Sequence, residues 1–259
     1  MKKALKWIRN IVICLFVFSI VQVLILKFIP VYYTPLMISN NLSQLFDKGS
    51  VECEHKWVPI EKISKHLPQA VVASEDNLFI DHSGFDFKQI AKAQEDADKK
   101  GKRLRGASTI SQQTAKNVFL WQGRSFIRKG LEAYYTVLIE LIWGKERIME
   151  VYLNSIEMGE NIYGAEAVAQ KHFNKPASKL TAEQCALIAA TLPNPKRFNS
   201  AKPSAQDTQL DEKDRPCRFQ IRVCFILVRY SIACITPRID RYTIKASQRA
   251  LFPKWDCKE

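Results

Sequence analysis

The feature that most constrains this chain is an apolar run near its start, Ile11–Leu26, interrupted only by Ser19 and Gln22. With Trp7 and Ile8 ahead of it and Phe28 and Ile29 behind, the stretch reaches about 20 residues, enough for one tilted membrane-spanning helix. Its flanks are lopsided. Lys2, Lys3, Lys6 and Arg9 precede it, and only Lys27 follows before Asp47. The positive-inside rule then puts the N-terminus in the cytoplasm and the rest of the chain outside. Trp7, Tyr32 and Tyr33 stand where interfacial aromatics belong. A cleaved signal peptide would need small residues at its cleavage point, and Lys27-Phe28-Ile29-Pro30-Val31-Tyr32 supplies none. A buried core helix is the plainer alternative, and the charge asymmetry weighs against it.

Beyond the anchor, the 259-residue chain has length for one well-buried core. Its formal charge of +13 points to an anionic partner: nucleic acid, anionic lipid or pyrophosphate. Nucleic acid is disfavoured. No Cys/His spacing suits zinc, no glycine-rich phosphate loop occurs, and the aromatics do not interleave with basic residues. The seven cysteines are odd in number and irregularly spaced, which argues against a disulfide-stapled scaffold.

The organisation reads as four parts. Residues 1–29 are the cytoplasmic tip and anchor. Residues 30–57, with Pro30, Pro35 and Gly49 and no sustained period, read as a connector. Residues 58–205 form the folded body, and 206–259 a tail that continues no earlier pattern and carries Cys217, Cys224, Cys234 and Cys257. Within the body, Pro68 opens a short helix, Gln69–Ser74, that ends on Glu75 and Asp76. Asp86–Lys99 is amphipathic. Residues 101–106 are a basic loop between two glycines. Ala107–Phe119 is a helix with a polar start, and Arg124–Asn154 the longest helical stretch, with a break at Gly144. Thr181-Ala182-Glu183-Gln184 is a capping box for a helix that Pro193 stops. Strand signals are scarce, so the fold class is mainly α.

Three groups of residues suit chemistry, and each has a plainer reading. Glu75 follows an apolar helix. Walled by Val71, Val72 and Phe79 it would hold its proton more tightly and act as a general base near neutral pH; equally, it is a helix-end acid facing water. Asp76 suits local hydrogen bonding, and His82 suits loop packing. Arg128, Lys129 and Glu132 share a helix face, and with Lys116 these cations suit a pyrophosphate clamp, or else an ordinary surface ion pair. Ser108, Thr109, Ser111, Gln112 and Gln113 crowd a helix start, where they suit a sugar or phosphate; capping alone needs one of them.

Taken in order along the chain, these segments resemble the signatures of the peptidoglycan glycosyltransferases. Glu75–Asp86 (EDNLFIDHSGFD) is similar to the first, Gly106–Phe119 (GASTISQQTAKNVF) to the second, and Arg128–Glu132 (RKGLE) to the third. Lys145–Asn154 (KERIMEVYLN) and the IYGAEAVAQKHF segment after it resemble the fourth and fifth. The resemblance spans about residues 60–200, and no penicillin-binding domain follows it, which implies the monofunctional form.

The resemblance implies a lysozyme-like helical domain with a small hydrophobic subdomain against the membrane. It implies polymerisation of lipid II into β-1,4-linked glycan, with inversion and release of undecaprenyl pyrophosphate. Carried over by position, Glu75 is the catalytic base and Glu132 the second carboxylate. Lys116, Arg128 and Lys129 hold the pyrophosphate, and Ser108, Gln112 and Asn117 line the donor cleft. A divalent metal ion, Mg or Mn, shares the pyrophosphate. The implied partners are lipid II, the growing strand, membrane lipid and other cell-wall synthesis proteins; the implied place is the inner membrane. Two alternatives stay open: a lysozyme-like glycan hydrolase, and a non-catalytic membrane protein that binds cell-wall precursor. The family's usual closing helix, rich in Arg and Gln, is replaced here by the 206–259 tail.

Overall fold

A computed structural model describes residues 2–100, 108–123 and 125–202. The basic loop 101–106, Ala107, Arg124 and the 206–259 tail lie outside the described residues. The order is α1 (Lys2–Phe28), α2 (Pro35–Lys48), β1 (Glu54–His55), α3 (His66–Glu75), α4 (Phe87–Lys100), α5 (Ile110–Phe119), α6 (Phe126–Ile142), α7 (Lys145–Ser155), β2 (Glu157–Gly159), β3 (Ile162–Tyr163), α8 (Ala165–Phe173) and α9 (Ala182–Thr191). The mainly α expectation holds. The strands form one small sheet in the order β1-β3-β2, parallel on one side of β3 and antiparallel on the other.

α1 contains an apolar span, Lys3–Phe28, of mean hydropathy 2.7, long enough to cross a membrane and mostly uncovered by protein. Its C-terminal end is not free. Trp143 Nε1 donates to the Val23 carbonyl at 2.7 Å, and Arg147 Nη2 donates to the carbonyls of Leu26 at 2.8 Å and Ile29 at 2.6 Å. The last carbonyls of a helix lack intrahelical partners, so the Arg147 fork satisfies groups that water would otherwise serve. Higher up, Ser19 Oγ and Tyr134 Oη are 2.6 Å apart. Arg147 is itself held by Glu150 at 2.6 Å and lies over the Trp57 ring.

The segment read as a connector differs: half of it is α2. The local signals are complete. Thr34 accepts a hydrogen bond from Met37 N, Pro35 takes the first helical position, and Gly49 closes the helix at φ +68°. The apolar residues Ile38, Leu42, Leu45 and Phe46 do recur at helical spacing, but on the exposed side. The buried side carries Met37 and a glutamine, Gln44, which donates to Asn161 and accepts from Glu52 N. An inward-facing polar residue hid the period.

α7 is the hub. Ile148, Met149, Val151, Tyr152 and Leu153 are all fully buried, and α5 packs between α7 and α6 while α3 packs on α9. Asn154, also buried, pairs with the backbone of Val58 in both directions at 2.9 Å. Gly164 passes so close behind it that a Cβ there would sit 2.7 Å from the Asn154 carbonyl oxygen. α3 begins at His66, so Pro68 sits within its first turn rather than opening it; its missing N–H is one that has no intrahelical partner there.

Candidate active site

The site is built where the C-terminal end of α3 meets the middle of α5 and the first turns of α6. Two adjacent carboxylates at that end face different surroundings. Asp76 is 1% exposed and fully engaged. It accepts from His82 Nε2 at 2.8 and 3.0 Å and from Ile110 N, the first residue of α5, at 3.0 Å. His82 Nδ1 in turn accepts from Gly84 N at 3.1 Å, so Nε2 carries the proton that Asp76 receives. Asp76 and His82 are thus local structure, as the sequence reading had them.

Glu75 is different. Its Oε2 accepts from Gln113 Nε2 at 2.9 Å. Its Oε1 is buried and has no hydrogen-bond partner among the described residues. Burial raises its proton affinity above the ordinary carboxylate value; the Gln113 N–H opposes this, Asp76 reinforces it, and Lys116 opposes it again. A carboxylate held this way, with one oxygen uncommitted, is equipped to accept a proton near neutral pH.

Across the cleft, α6 starts at the Ser125 cap, which accepts from Arg128 N. Glu132, 3% exposed, is the centre of a small cation group. Arg128 Nη1 donates to its Oε2 at 3.1 Å, and Lys129 Nζ bonds its Oε1. Arg128 Nε has no partner among the described residues. Lys116 lies between the two halves: burial lowers its proton affinity, Glu132 raises it, Arg128 and Lys129 lower it, and Glu75 raises it. The structure therefore brings together Glu75, Lys116, Arg128, Lys129 and Glu132. Three cations around one carboxylate leave a positive surplus facing Glu75, which suits an anionic leaving group.

The polar start of α5 is a helix cap. Gln112 is 5% exposed and spends its side chain on a capping box: its Oε1 accepts from Thr109 N, while Thr109 Oγ1 accepts from Gln112 N. That box closes the start of the helix. Ser108 is exposed just ahead of that cap, and Asn117 is buried in the following turn. The residue that faces Glu75 is Gln113. Helical spacing does not separate the two amides: Gln112 and Gln113 lie four and three residues before Lys116, so both fall near its face.

The metal ion implied by the resemblance finds no cage here. Among the described residues no group of three or more His, Cys, Asp or Glu side chains converges. The oxygens of Glu132 are already taken by Arg128 and Lys129.

The family model described as Transglycosylase matches residues 41–217, which include every residue of this cleft. Among curated proteins, the biosynthetic peptidoglycan transglycosylase of Bacteroides thetaiotaomicron is 60% identical over 79% of this chain and 82% of its own length. The protein of the same name from Bdellovibrio bacteriovorus is 51% identical over 77% and 79%, and that from Caulobacter vibrioides 50% over 76% and 84%. A match of this extent leaves one assignment for the cleft and its anchor: the chain belongs to the transglycosylase family and is a peptidoglycan glycosyltransferase.

Proposed function

We propose that this enzyme extends glycan strands from lipid II, with Glu75 as the base. Glu75 Oε1 takes the proton from the 4-hydroxyl of the acceptor sugar. That oxygen forms a bond to the anomeric carbon of the donor from the opposite face. The bond from that carbon to the pyrophosphate oxygen breaks, the configuration inverts, and undecaprenyl pyrophosphate leaves as an anion beside Lys116, Arg128 and Lys129. Glu132 keeps these cations in place. No protein acid is needed, because the leaving group departs already charged; hydrolysis of an unactivated glycosidic bond would need one. The single observation that carries this reading is a half-buried glutamate whose buried Oε1 has no partner among the described residues, set opposite a surplus of cations. A divalent ion bound with the substrate would offset charge on the leaving pyrophosphate, alongside Lys116, Arg128 and Lys129.

The anchor supports a cytoplasmic-membrane location with the cleft on the outer side, where Lys2, Lys3, Lys6 and Arg9 hold the N-terminus inside. Ser108 and Asn117 line the donor side of the cleft in this reading. Incubating the purified full chain with lipid II in detergent tests the function. New long glycan is the expected product. Digestion of finished cell wall would instead identify a hydrolase, and binding of lipid II without turnover a non-catalytic receptor.

A further inference from the structure

Tyr152 is fully buried in the middle of α7, yet it brings a hydroxyl to the back of the cleft. That hydroxyl donates to Gln113 Oε1 at 3.4 Å, and Gln113 Nε2 donates to Glu75 Oε2 at 2.9 Å. The geometry points to Tyr152 as a positioning residue for the base: it fixes which end of the Gln113 amide faces Glu75. This inference rests on the reading of Glu75 as the base.

An amide has two ends of nearly equal shape and opposite hydrogen-bonding sense. With its oxygen toward Glu75, Gln113 would set two acceptors face to face. With its nitrogen there, it supplies a donor to the ionised carboxylate. Tyr152 selects the second arrangement, because its single proton needs an acceptor and Gln113 Oε1 provides it. The phenol does not lose that proton in the working range. Burial holds it, and the nearby charges of Glu75 and Asp76 hold it further. The groups that bear on Glu75 come from each packed element. Asp76 follows it at the end of α3, with His82 attached. Gln113 and Lys116 face it from α5, and Tyr152 from α7. Arg128, Lys129 and Glu132 of α6 reach it through Lys116.

Removing only the hydroxyl, in Tyr152→Phe, preserves the ring that fills the core and releases the amide. Glu75 then loses its donor, its proton affinity rises, and a larger share is protonated at a given pH. The test is the pH profile of kcat/KM for lipid II polymerisation in detergent, which reports the free enzyme. The acid limb is expected to move upward by roughly half a pH unit, a threefold change in proton affinity. Gln113→Leu should shift it at least as far, and adding Tyr152→Phe to Gln113→Leu should shift it no further. A tyrosine that merely packs would lower the melting temperature and leave the limb in place. An unmoved limb in either single variant, with Glu75→Gln inactive, overturns the relay and leaves the base assignment standing. An active Glu75→Gln overturns the base assignment itself. Should Tyr152→Phe fail to fold, an unmoved limb in Gln113→Leu still overturns the inference.

Discussion

Two neighbouring regions at the end of α3 treat their polar groups in opposite ways. Around Asp76 every partner is supplied: His82, Gly84 N and the first N–H of α5 form a closed set. Beside it, Lys145 bridges the His82 carbonyl and Glu140, each at 2.7 Å, and Glu140 also accepts from Ser111. Around Glu75 and Arg128 the set is left open, with one carboxylate oxygen and one guanidinium nitrogen unpaired among the described residues. A completed network fixes structure, and an incomplete one keeps groups available for a substrate. Adjacent residues of the same chemistry thus serve different ends.

Substitutions test that contrast. Glu75→Gln should remove about a thousandfold of the polymerisation rate while circular dichroism stays unchanged. Comparable rates in the variant would erase the distinction between the two carboxylates. Asp76→Ala should instead lower unfolding stability by about 3 kcal/mol, because His82 and Ile110 N are left buried without an acceptor. Chemical denaturation measures this, and a neutral result would mean the closed network contributes little. Arg128→Ala should raise KM for lipid II about tenfold with little change in melting temperature. An unfolded variant would place Arg128 with the structural set.

The smallest effect sharpens the comparison most. Glu75 has a raised folded-state proton affinity, so its ionised form is disfavoured in the fold. The penalty is present above the folded pKa and absent below the unfolded one. Glu75→Gln should therefore melt higher than the wild type near about pH 7, with the gain gone near about pH 4. A variant that is inactive yet more stable would show that the open region is maintained at the expense of stability.

How much of this was readable along the chain depends on the range of the interaction. The apolar helix at the start, the capping box at Thr181, the break at Gly144 and the roles of Asp76 and His82 are local, and the residues state them. The surroundings of Glu75 are not local: Gln113 and Lys116 reach it from α5, about 40 residues along the chain. The part played by Gln113 is hidden because Gln112 and Gln113 are adjacent amides within one helical turn of Lys116, and only the contact with Glu75, 38 residues earlier, tells them apart. α2 was missed because its buried side holds Gln44, whose partner Asn161 is 117 residues away. Tyr152 reads as one more core aromatic until Gln113, 39 residues earlier, comes into contact with it.

The hold of Trp143 and Arg147 on the end of α1 ties the apolar helix to the elements that build the cleft. α7 grips α1 through Arg147 in its first turn and carries Tyr152 about one and a half turns later. A thinner bilayer, which tilts a long apolar helix, would turn this lever as a unit. The lipid environment would then be felt at the base through a rigid arm rather than through a tether.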